Sequence, residues 1–332
     1  MNVIQVVPRL PPDSDGVGDY ARLLAKQLLS QHRIETRFVA FRPGEATPTE
    51  VDGFHTYRLF QHTTSAFIDV IPKNTDNIIL HYSNYPYLQG KFDAPFWLVD
   101  ALKRLVKEQS IRLTVMFHEL PTLKWRQIRI LNPMQSVVSR HLAKIANAVL
   151  TDSHQFKTQL EKWTDVPIAC IPDFSTIGEP KNHQILPLEA RQRRLVIFGG
   201  SDRKRVYDYH FEKLLQTCKA LDIKEICDIG TRQNLDAAAF QPFHLTEMGF
   251  QPAGAVQELL LDSFVGLMDY SRFPGDLGKS SVFAAFCAHG LLPICTVYNP
   301  SEADGVVMNQ QYAVAGEQLS EWTLQRCQTV AS

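Results

Sequence analysis

Short apolar runs rich in β-branched residues alternate along the chain with segments in which leucine, alanine and valine recur every three or four positions. The runs predict strands, and the spaced segments predict helices. In the first half, strands are predicted at residues 3–7, 35–41, 77–81, 112–117 and 148–151, and helices at residues 20–29, 96–107, 134–145 and 155–163. Such alternation builds parallel sheets through crossover helices, so this half is predicted to be α/β.

A polar segment rich in turn-forming residues follows Ile171 and runs on to the basic cluster at residues 191–194. It predicts an interdomain linker. A second alternation then begins, with strands predicted at residues 195–198, 225–229, 245–248, 264–268 and 292–297 and helices at residues 211–221, 256–261 and 280–289. We therefore predict an N-terminal domain at residues 1–175, a linker at residues 176–193 and a C-terminal domain at residues 194–332.

Composition excludes some classes of protein but does not indicate a particular partner. The 332 residues are 45% hydrophobic and 21% charged, and the formal net charge is −1. That charge gives no general attraction to nucleic acid, so no nucleic-acid partner is expected. The cysteines form no C-x-x-C pair, which favours a reducing, cytoplasmic setting. The longest apolar region, residues 282–297, is interrupted by polar and turn-forming residues, so no membrane-spanning helix is expected, while the oligomeric state stays open.

The segment Gly278-Lys279-Ser280-Ser281 lies between a predicted strand and a predicted helix. A helix start of this kind offers backbone N–H groups, a positive dipole end, two hydroxyls and an ammonium group to an anion. It does not complete a Walker A loop, because Phe273 stands where that motif needs its first glycine. The segment predicts a diphosphate site, and an ordinary helix capped by Ser280 or Ser281 is the equal alternative.

A second glycine motif, G-V-G-D-Y-A at residues 16–21, satisfies the G-x-G-x-x-A form of the dinucleotide fingerprint. In that fingerprint the first glycine follows the strand directly, whereas eight residues, from Pro8 to Asp15, intervene here. A nicotinamide-dependent dehydrogenase is therefore disfavoured. A glycine loop before a helix still allows close approach of the backbone to a ligand, which makes Gly16 and Gly18 candidate binding residues.

Basic residues follow the first predicted strand of the second half. Arg203, Lys204 and Arg205 come shortly after the strand at residues 195–198. In open α/β sheets ligands bind at the carboxyl ends of the strands. The cluster therefore predicts a second contact with the same diphosphate, although a solvated basic turn would show the same pattern.

His118 and Glu119 directly follow the predicted strand at residues 112–117. A position at the carboxyl end of a strand favours catalysis or substrate binding, and a buried histidine bound to the backbone is the alternative. The second histidine of H-E-x-x-H is absent, so no zinc site is implied. His81, at the end of the strand at residues 77–81, has the same two interpretations.

Residues 124–129 interleave basic and apolar side chains. A surface that contacts anionic lipid head groups has this pattern, and so does a solvated helix face or loop. Peripheral membrane contact therefore stays open as an expectation.

Together these motifs resemble those of the GT-B glycosyltransferases, particularly the retaining, family-4-like group that uses nucleotide-sugar donors. The resemblance covers nearly the whole chain and rests on the order and spacing of its motifs. These are D-G-V-G-D-Y-A at residues 15–21, F-H-E-L at 117–120, T-D-S at 151–153, and L-G-K-S-S at 277–281 leading to A-H-G-L-L-P at 288–293. It implies two Rossmann-like domains with a cleft between them, the donor mainly on the C-terminal domain and the acceptor mainly on the N-terminal one.

The resemblance also implies roles for single residues. His118 matches the active-site histidine of the family and is assigned the catalytic role, with Glu119 beside it on the acceptor side. The residues implied in donor binding are Gly16, Gly18, Arg203, Lys204, Gly278, Lys279, Ser280 and Ser281. No metal and no cofactor are implied, because the nucleotide sugar is a substrate.

One departure from the family concerns its paired glutamates, which would fall on Leu277 and Ala285. Those carboxylates normally hold hydroxyls of the donor sugar and ribose. Asp276 lies beside the first position, but a shift of one residue at a helix start directs a side chain elsewhere. The chain also ends soon after residue 328, which is short for the closing helix of the fold and leaves a truncated C-terminal domain as an expectation.

The expected function is transfer of a sugar from a nucleotide-sugar donor to a glycan, lipid or small-molecule acceptor. Two alternatives stay open. The chain is a non-catalytic sugar- or nucleotide-binding protein that lost the carboxylates, or it is an enzyme of the nucleotide-sugar epimerase type that acts on the donor itself. Fold alone does not separate these three.

Overall fold

The computed structural model describes residues 1–13, 15–41, 48–83, 85–88, 94–125, 128–131, 133–180, 185–273, 275–297 and 305–331. The chain divides into two compact units, Met1–Pro172 and Asp173–Ser332. Within the segment expected to be a linker, residues 181–184 lie outside the described residues. A short 3-10 turn follows at Leu188–Ala190, and Leu188 is buried in the apolar core of the second unit.

Ten strands and five helices are described in the first unit. The strands are β1 (Asn2–Val7), β2 (Glu35–Ala40), β3 (Glu50–Val51), β4 (Phe54–Arg58), β5 (Asn77–Tyr82), β6 (Arg112–Phe117), β7 (Thr122–Trp125), β8 (Ile128–Leu131), β9 (Ala148–Thr151) and β10 (Ile168–Cys170). The helices are α1 (Gly16–His32), α2 (Thr64–Val70), α3 (Phe96–Glu108), α4 (Pro133–Ile145) and α5 (His154–Glu161).

One sheet forms the centre of the first unit, in the strand order β10-β9-β6-β5-β1-β2-β4-β3. All neighbouring strands in it run parallel except β3, which pairs antiparallel with β4. Leu98, Leu102 and Leu105, three or four positions apart on α3, share one apolar cluster with Leu80 of β5 and Val115 of β6. The helical spacing of these leucines therefore buries one face of α3 on the sheet.

Two motifs that the sequence singled out in the first unit have a different local structure from the one predicted. Helix α1 begins at Gly16 rather than at residue 20, because the Asp15 side chain caps it by accepting a hydrogen bond from the backbone N–H of Val17. The glycine motif is thus the first turn of a helix, not a loop before one. Of residues 124–129, taken as a helix face or loop, 124–125 lie in β7 and 128–129 in β8, which pair antiparallel, while residues 126 and 127 and the side chains of the other four lie outside the described residues.

The described part of the second unit contains six strands and four helices. The strands are β11 (Gln192–Phe198), β12 (Glu225–Ile229), β13 (His244–Gly249), β14 (Ser263–Met268), β15 (Leu292–Cys295) and β16 (Ala313–Val314). The helices are α6 (Lys204–Ala220), α7 (Ala253–Leu261), α8 (Ser281–Ala288) and α9 (Leu324–Ala331). Helix α6 starts well before the predicted residue 211 and has a non-helical residue, His210, at its middle.

These strands form one parallel sheet in the order β13-β12-β11-β14-β15-β16. Gly266 lies in β14, whose six residues are all buried. A Cβ at this position would come within 2.3 Å of the Phe286 ring on α8, so only glycine lets the helix pack this closely on the strand. The glycine in the middle of an apolar run is therefore a packing requirement.

Two further expectations concern the chain as a whole. In the part of the chain that the structure describes, no helix combines the length and the apolar character needed to cross a membrane. All six cysteines lie in described residues and are free thiols.

Candidate functional site

In the first unit, polar side chains collect where the central strands end. His118 directly follows β6, Asp152 directly follows β9, and Ser83 directly follows β5. The three residues are buried, with exposed fractions of 7%, 3% and 8%. Because parallel strands point their carboxyl ends to one edge of a sheet, the edge predicted from His118 alone carries several polar groups.

His118 is one end of a buried row of hydrogen bonds, which we call the histidine chain: Gln5, His81 and His118. The Nε2 atom of His118 lies 3.0 Å from Nδ1 of His81, and Nε2 of His81 lies 2.7 Å from Oε1 of Gln5. Gln5 and His81 are fully buried. Burial, and secondarily the electrostatic effect of His118 when its ring is protonated, hold the pKa of His81 well below its usual 6.5, so His81 is neutral near neutral pH.

The other ring nitrogen of His118, Nδ1, lies 3.5 Å from Oδ2 of Asp152. Tyr20 of α1 packs edge-on against both histidine rings, with centroid distances of 5.1 Å to His118 and 5.8 Å to His81. The backbone N–H of His118 donates to the carbonyl of Tyr82 at 3.0 Å. The ring of His118 is therefore held by Tyr20, by its hydrogen bond with His81 and through its backbone, with Nδ1 as the nitrogen at the longer contact.

Glu119 is half-buried beside His118, and its Oε2 accepts a hydrogen bond from the Ser83 hydroxyl at 3.2 Å. The structure thus keeps this carboxylate at the same edge as the histidine. Its role in acceptor binding stays a prediction.

Gly16 and Gly18, which the sequence treated alike, have different surroundings. A Cβ at Gly18 would lie 2.2 Å from the backbone oxygen of Arg9, so this glycine lets α1 pack against the segment that follows β1. A Cβ at Gly16 would meet nothing within 4 Å. Only Gly16 therefore has open space of the kind that a bound ligand needs, and donor binding at these residues stays a prediction.

In the second unit, Arg203 lies in a 3-10 turn after β11 and is buried. Its Nε is 3.0 Å from Oδ2 of Asp228, a fully buried carboxylate at the end of β12, and its Nη2 donates to the same carboxylate at 3.0 Å. Its remaining N–H groups donate to the backbone oxygens of Gly199, Gly200 and Thr231. A guanidinium has five N–H donors. All five N–H groups of Arg203 donate to groups of its own unit, so none is left for a diphosphate in this conformation.

Lys204 is the first residue of α6 and is exposed, and its Nζ lies 3.8 Å from Oδ2 of Asp208. It is the base of this cluster whose ammonium group remains in solvent. Donor binding by Arg203 and Lys204 stays a prediction, and the geometry favours Lys204 for it.

The sequence missed a buried carboxylate, Asp269, which directly follows β14. Its oxygens contact Nε of Arg205 at 3.1 Å, Nε2 of His210 at 3.0 Å and the Thr296 hydroxyl at 2.9 Å. Burial opposes ionisation, but hydrogen bonds from Ser271, Thr296 and Arg205 outweigh it and hold the pKa of Asp269 below its usual 3.8. A charged residue directly after a buried strand is the signal that could have found it.

The Gly278 to Ser281 segment forms a 3-10 turn followed by α8. The Ser280 hydroxyl accepts a hydrogen bond from the backbone N–H of Phe283 at 3.1 Å, so Ser280 is the N-cap. The backbone N–H groups of Lys279 and Ser280 donate within the turn. Ser280 therefore caps α8, and a diphosphate site formed by Gly278, Lys279, Ser280 and Ser281 stays a prediction.

The two predicted donor-binding segments of the second unit lie side by side. Gly199, at the end of β11, has a positive φ of 125°, and a Cβ there would lie 3.1 Å from Cγ2 of Val282 in the first turn of α8. The loop after β11 and the start of α8 are thus in contact, and Lys204 and Lys279 belong to one edge of the sheet.

The positions of the two missing glutamates are part of the apolar core. Leu277 is 3% exposed, Ala285 is fully buried, and both belong to the same apolar cluster. Asp276 is buried as well. At both positions the chain therefore has a buried apolar side chain where the resemblance implied a carboxylate.

No family model matches this chain, and no curated protein sequence does. Solved structures do match. Sucrose-phosphate synthase from Thermosynechococcus elongatus aligns with a TM-score of 0.63 at 12% identity, over 100% of this chain and 92% of that one. An alpha-glucosyltransferase in complex with UDP-glucose and abasic DNA gives 0.59 at 12% identity, over 100% and 91%. A candidate UDP-N-acetylglucosamine 2-epimerase from Listeria monocytogenes gives 0.55 at 11% identity, over 99% and 90%.

The likeness extends over both parallel sheets and nearly the full length of each matched chain. It confirms the predicted fold: the chain has the GT-B fold, with one Rossmann-like α/β unit at each end of the sequence. The retaining, family-4-like subtype stays a prediction.

Proposed function

We propose that this protein is a glycosyltransferase that moves a sugar from a nucleotide-sugar donor to a glycan, lipid or small-molecule acceptor. The observation that carries the proposal is the histidine chain at the carboxyl edge of the first sheet. Sucrose-phosphate synthase and the alpha-glucosyltransferase solved with UDP-glucose share the fold, which supports a sugar donor linked to a nucleotide.

The histidine chain supports a chemical role because burying three polar side chains lowers the stability of the fold compared with apolar ones. Moving a polar side chain out of water is unfavourable unless every hydrogen bond is replaced, and an apolar side chain of similar size would stabilise the sheet more simply. Gln5 and His81 nevertheless lie fully buried in two neighbouring strands, and His118 is buried directly after a third. Polar groups kept at the ligand-binding edge of an α/β sheet favour function over packing.

The roles follow from the two edges taken separately. His118 acts at the reacting sugar or its acceptor. Lys279, Lys204 and the first turn of α8 bind the diphosphate and stabilise the negative charge that develops on the leaving group. Gly16 leaves backbone accessible at the start of α1. No metal and no cofactor form part of the proposal.

The acceptor is proposed to be something other than nucleic acid. One matched structure contains DNA, but this chain has a formal net charge of −1 and no basic excess that would attract a polyanion. Peripheral membrane contact through residues 124–129 and a cytoplasmic location remain expectations. DNA belongs in the acceptor panel as a direct check.

Two alternatives keep specific support. Leu277 and Ala285, buried where the family has carboxylates, favour a protein that binds a nucleotide and transfers nothing. The epimerase among the matched structures favours a reaction on the donor itself.

The deciding experiment begins with a thermal-shift panel of nucleoside diphosphates and nucleotide sugars, since a ligand that binds only the folded state raises the melting temperature. Donor hydrolysis and transfer to an acceptor panel are then measured with the donor that binds. Binding without either reaction would support the non-catalytic alternative, and interconversion of sugar epimers without an acceptor would support the epimerase.

For the transferase, His118→Ala should lower turnover by about 10²- to 10⁴-fold, the usual contribution of a positioned acid or base, with little loss of donor affinity. His141→Ala is the matched control, because His141 is an exposed histidine on α4 of the same unit. Equal turnover of the two variants would remove His118 from the mechanism.

A further inference from the structure

The histidine chain connects three neighbouring strands of the first sheet and ends at the candidate catalytic residue, His118. Gln5 lies in β1 and His81 in β5, while His118 directly follows β6, and these strands are adjacent in the sheet. His81 is separated from Gln5 by 76 positions in sequence and from His118 by 37. The three side chains are joined by hydrogen bonds of 3.0 and 2.7 Å across the sheet.

The direction of those hydrogen bonds follows from the donors and acceptors that each group has. Oε1 of Gln5 can only accept, so Nε2 of His81 must donate to it. His81 is neutral and has a single ring proton, so its Nδ1 can only accept. The hydrogen bond at 3.0 Å between the rings must then be donated by Nε2 of His118.

We propose that His81, fixed by Gln5, is a positioning residue that keeps a proton on Nε2 of His118 and leaves Nδ1 as the nitrogen that meets the substrate. This inference rests on the proposed function for the identity of the substrate. Nδ1 then accepts a hydrogen bond from a hydroxyl group of the bound sugar or acceptor. Asp152, whose Oδ2 is 3.5 Å away, stabilises positive charge on the ring when Nδ1 takes up a proton.

The opposite direction is the arrangement that must be distinguished. If the Gln5 amide were turned over, its N–H would donate to Nε2 of His81, and Nδ1 of His81 would donate to Nε2 of His118. Nδ1 of His118 would then carry the proton and act as a donor. The two arrangements place the ring protons on different nitrogens of both histidines, which makes them separable by spectroscopy.

The test is ¹⁵N NMR of the full-length chain labelled on histidine, which identifies the protonated nitrogen of each ring. We expect a proton on Nε2 of His81 and on Nε2 of His118. A proton on Nδ1 of His81 would overturn the proposal. This readout needs no substrate, so it decides the histidine chain even if no sugar transfer is found, and a missing transfer activity would refute the proposed function alone.

Substitutions at His81 test its effect on His118. His81→Leu removes the acceptor, so His118 should lose its fixed Nε2–H form, and turnover should fall about 10- to 100-fold with the KM for the donor unchanged. His81→Asn keeps an amide oxygen near the former Nδ1 and should restore both the Nε2–H signal and most of the turnover. An unchanged His118 spectrum in a folded His81→Leu variant would overturn the proposal.

Gln5 and a control residue complete the design. Gln5→Glu keeps an acceptor for His81 and should preserve the tautomer of His118, whereas Gln5→Leu should not. Thr36→Val is the matched control, because Thr36 is a buried polar residue of the neighbouring strand β2 outside the histidine chain. Circular dichroism and the melting temperature show which variants fold. If His81→Leu does not fold, the proposal is tested by the tautomers of the wild-type protein and of the His81→Asn variant.

Discussion

Buried polar groups at the carboxyl edges of the two sheets are stabilised in different ways. At the edge of the first unit, the histidine chain is a row of hydrogen bonds in which His81 is neutral and His118 has one nitrogen at a long contact. At the edge of the second unit, buried charges are compensated locally, Arg203 by Asp228 and Asp269 by Arg205 and His210.

The difference bears on the roles proposed for the two edges. At the second edge, the N–H groups of Arg203 are used by Asp228 and by backbone oxygens of the same unit. The diphosphate is therefore proposed to bind Lys204, Lys279 and the start of α8 instead. At the first edge, His118 is proposed to act on the sugar or its acceptor.

The largest effect is expected from breaking the ion pair of the second edge. Arg203→Met leaves the Asp228 carboxylate buried without its partner and should lower the free energy of unfolding by about 3–5 kcal/mol, measured by urea denaturation. Lys204→Met, at the next residue, removes an exposed charge and should change it by less than about 0.5 kcal/mol. Similar stabilities of the two variants would show that the second edge does not depend on this pair.

Lys279→Ala tests whether the second edge binds anions. Loss of a charge-assisted hydrogen bond should weaken the binding of a nucleoside diphosphate by about 1–3 kcal/mol in calorimetry, with the melting temperature nearly unchanged. Lys224→Ala is the control, because Lys224 lies before β12 at the amino end of the same sheet and is exposed. Unchanged affinity in Lys279→Ala would remove the diphosphate site from this turn.

At the first edge, two glycines of one helical turn should respond differently. Gly18→Ala places a Cβ against the Arg9 backbone and should destabilise the fold by about 1–3 kcal/mol. Gly16→Ala meets open space and should leave stability unchanged or raise it by up to about 1 kcal/mol, because alanine favours a helix. Gly16→Val should then impair ligand binding without unfolding the protein. Equal destabilisation at both positions would contradict the packing role assigned to Gly18.

The smallest effect concerns the start of α8. Ser280→Ala removes the N-cap and should cost about 1 kcal/mol of unfolding free energy. Ser280→Asp keeps a capping oxygen and should restore stability, but its negative charge should weaken diphosphate binding. If Ser280→Asp restored stability and left binding intact, the turn would be a cap only.

Much of the fold could be predicted because buried parallel strands are continuous apolar runs. The predicted bounds of β6 and β9 in the first unit and of β12 in the second are those observed. The short edge strand β3, its neighbour β4 and the hairpin of β7 and β8 were missed, since such strands are stabilised by their neighbours rather than by their own pattern.

The candidate site was predictable only in part. His118 was found because its place after an apolar run is local information. Gln5 was not singled out, although a lone glutamine inside the run at residues 3–7 is a visible signal. The early start of α6 was also missed, because residues 204–210 lack regular apolar spacing, and Arg205 and His210 contact the distant residue Asp269.

The sequence by itself determined the α/β alternation, the GT-B resemblance and the position of His118 at a strand end, because each depends on the order of neighbouring residues. Only the tertiary structure decided that His118 is linked through His81 to Gln5. It also decided that Arg203 forms an ion pair with Asp228. Finally, it decided that Gly18 serves packing while Gly16 faces open space. These pairings depend on which strands become neighbours in a sheet. Which strands become neighbours depends on the packing of whole elements. Hydrogen bonds between residues 25 or 76 positions apart therefore cannot be predicted from a local sequence pattern.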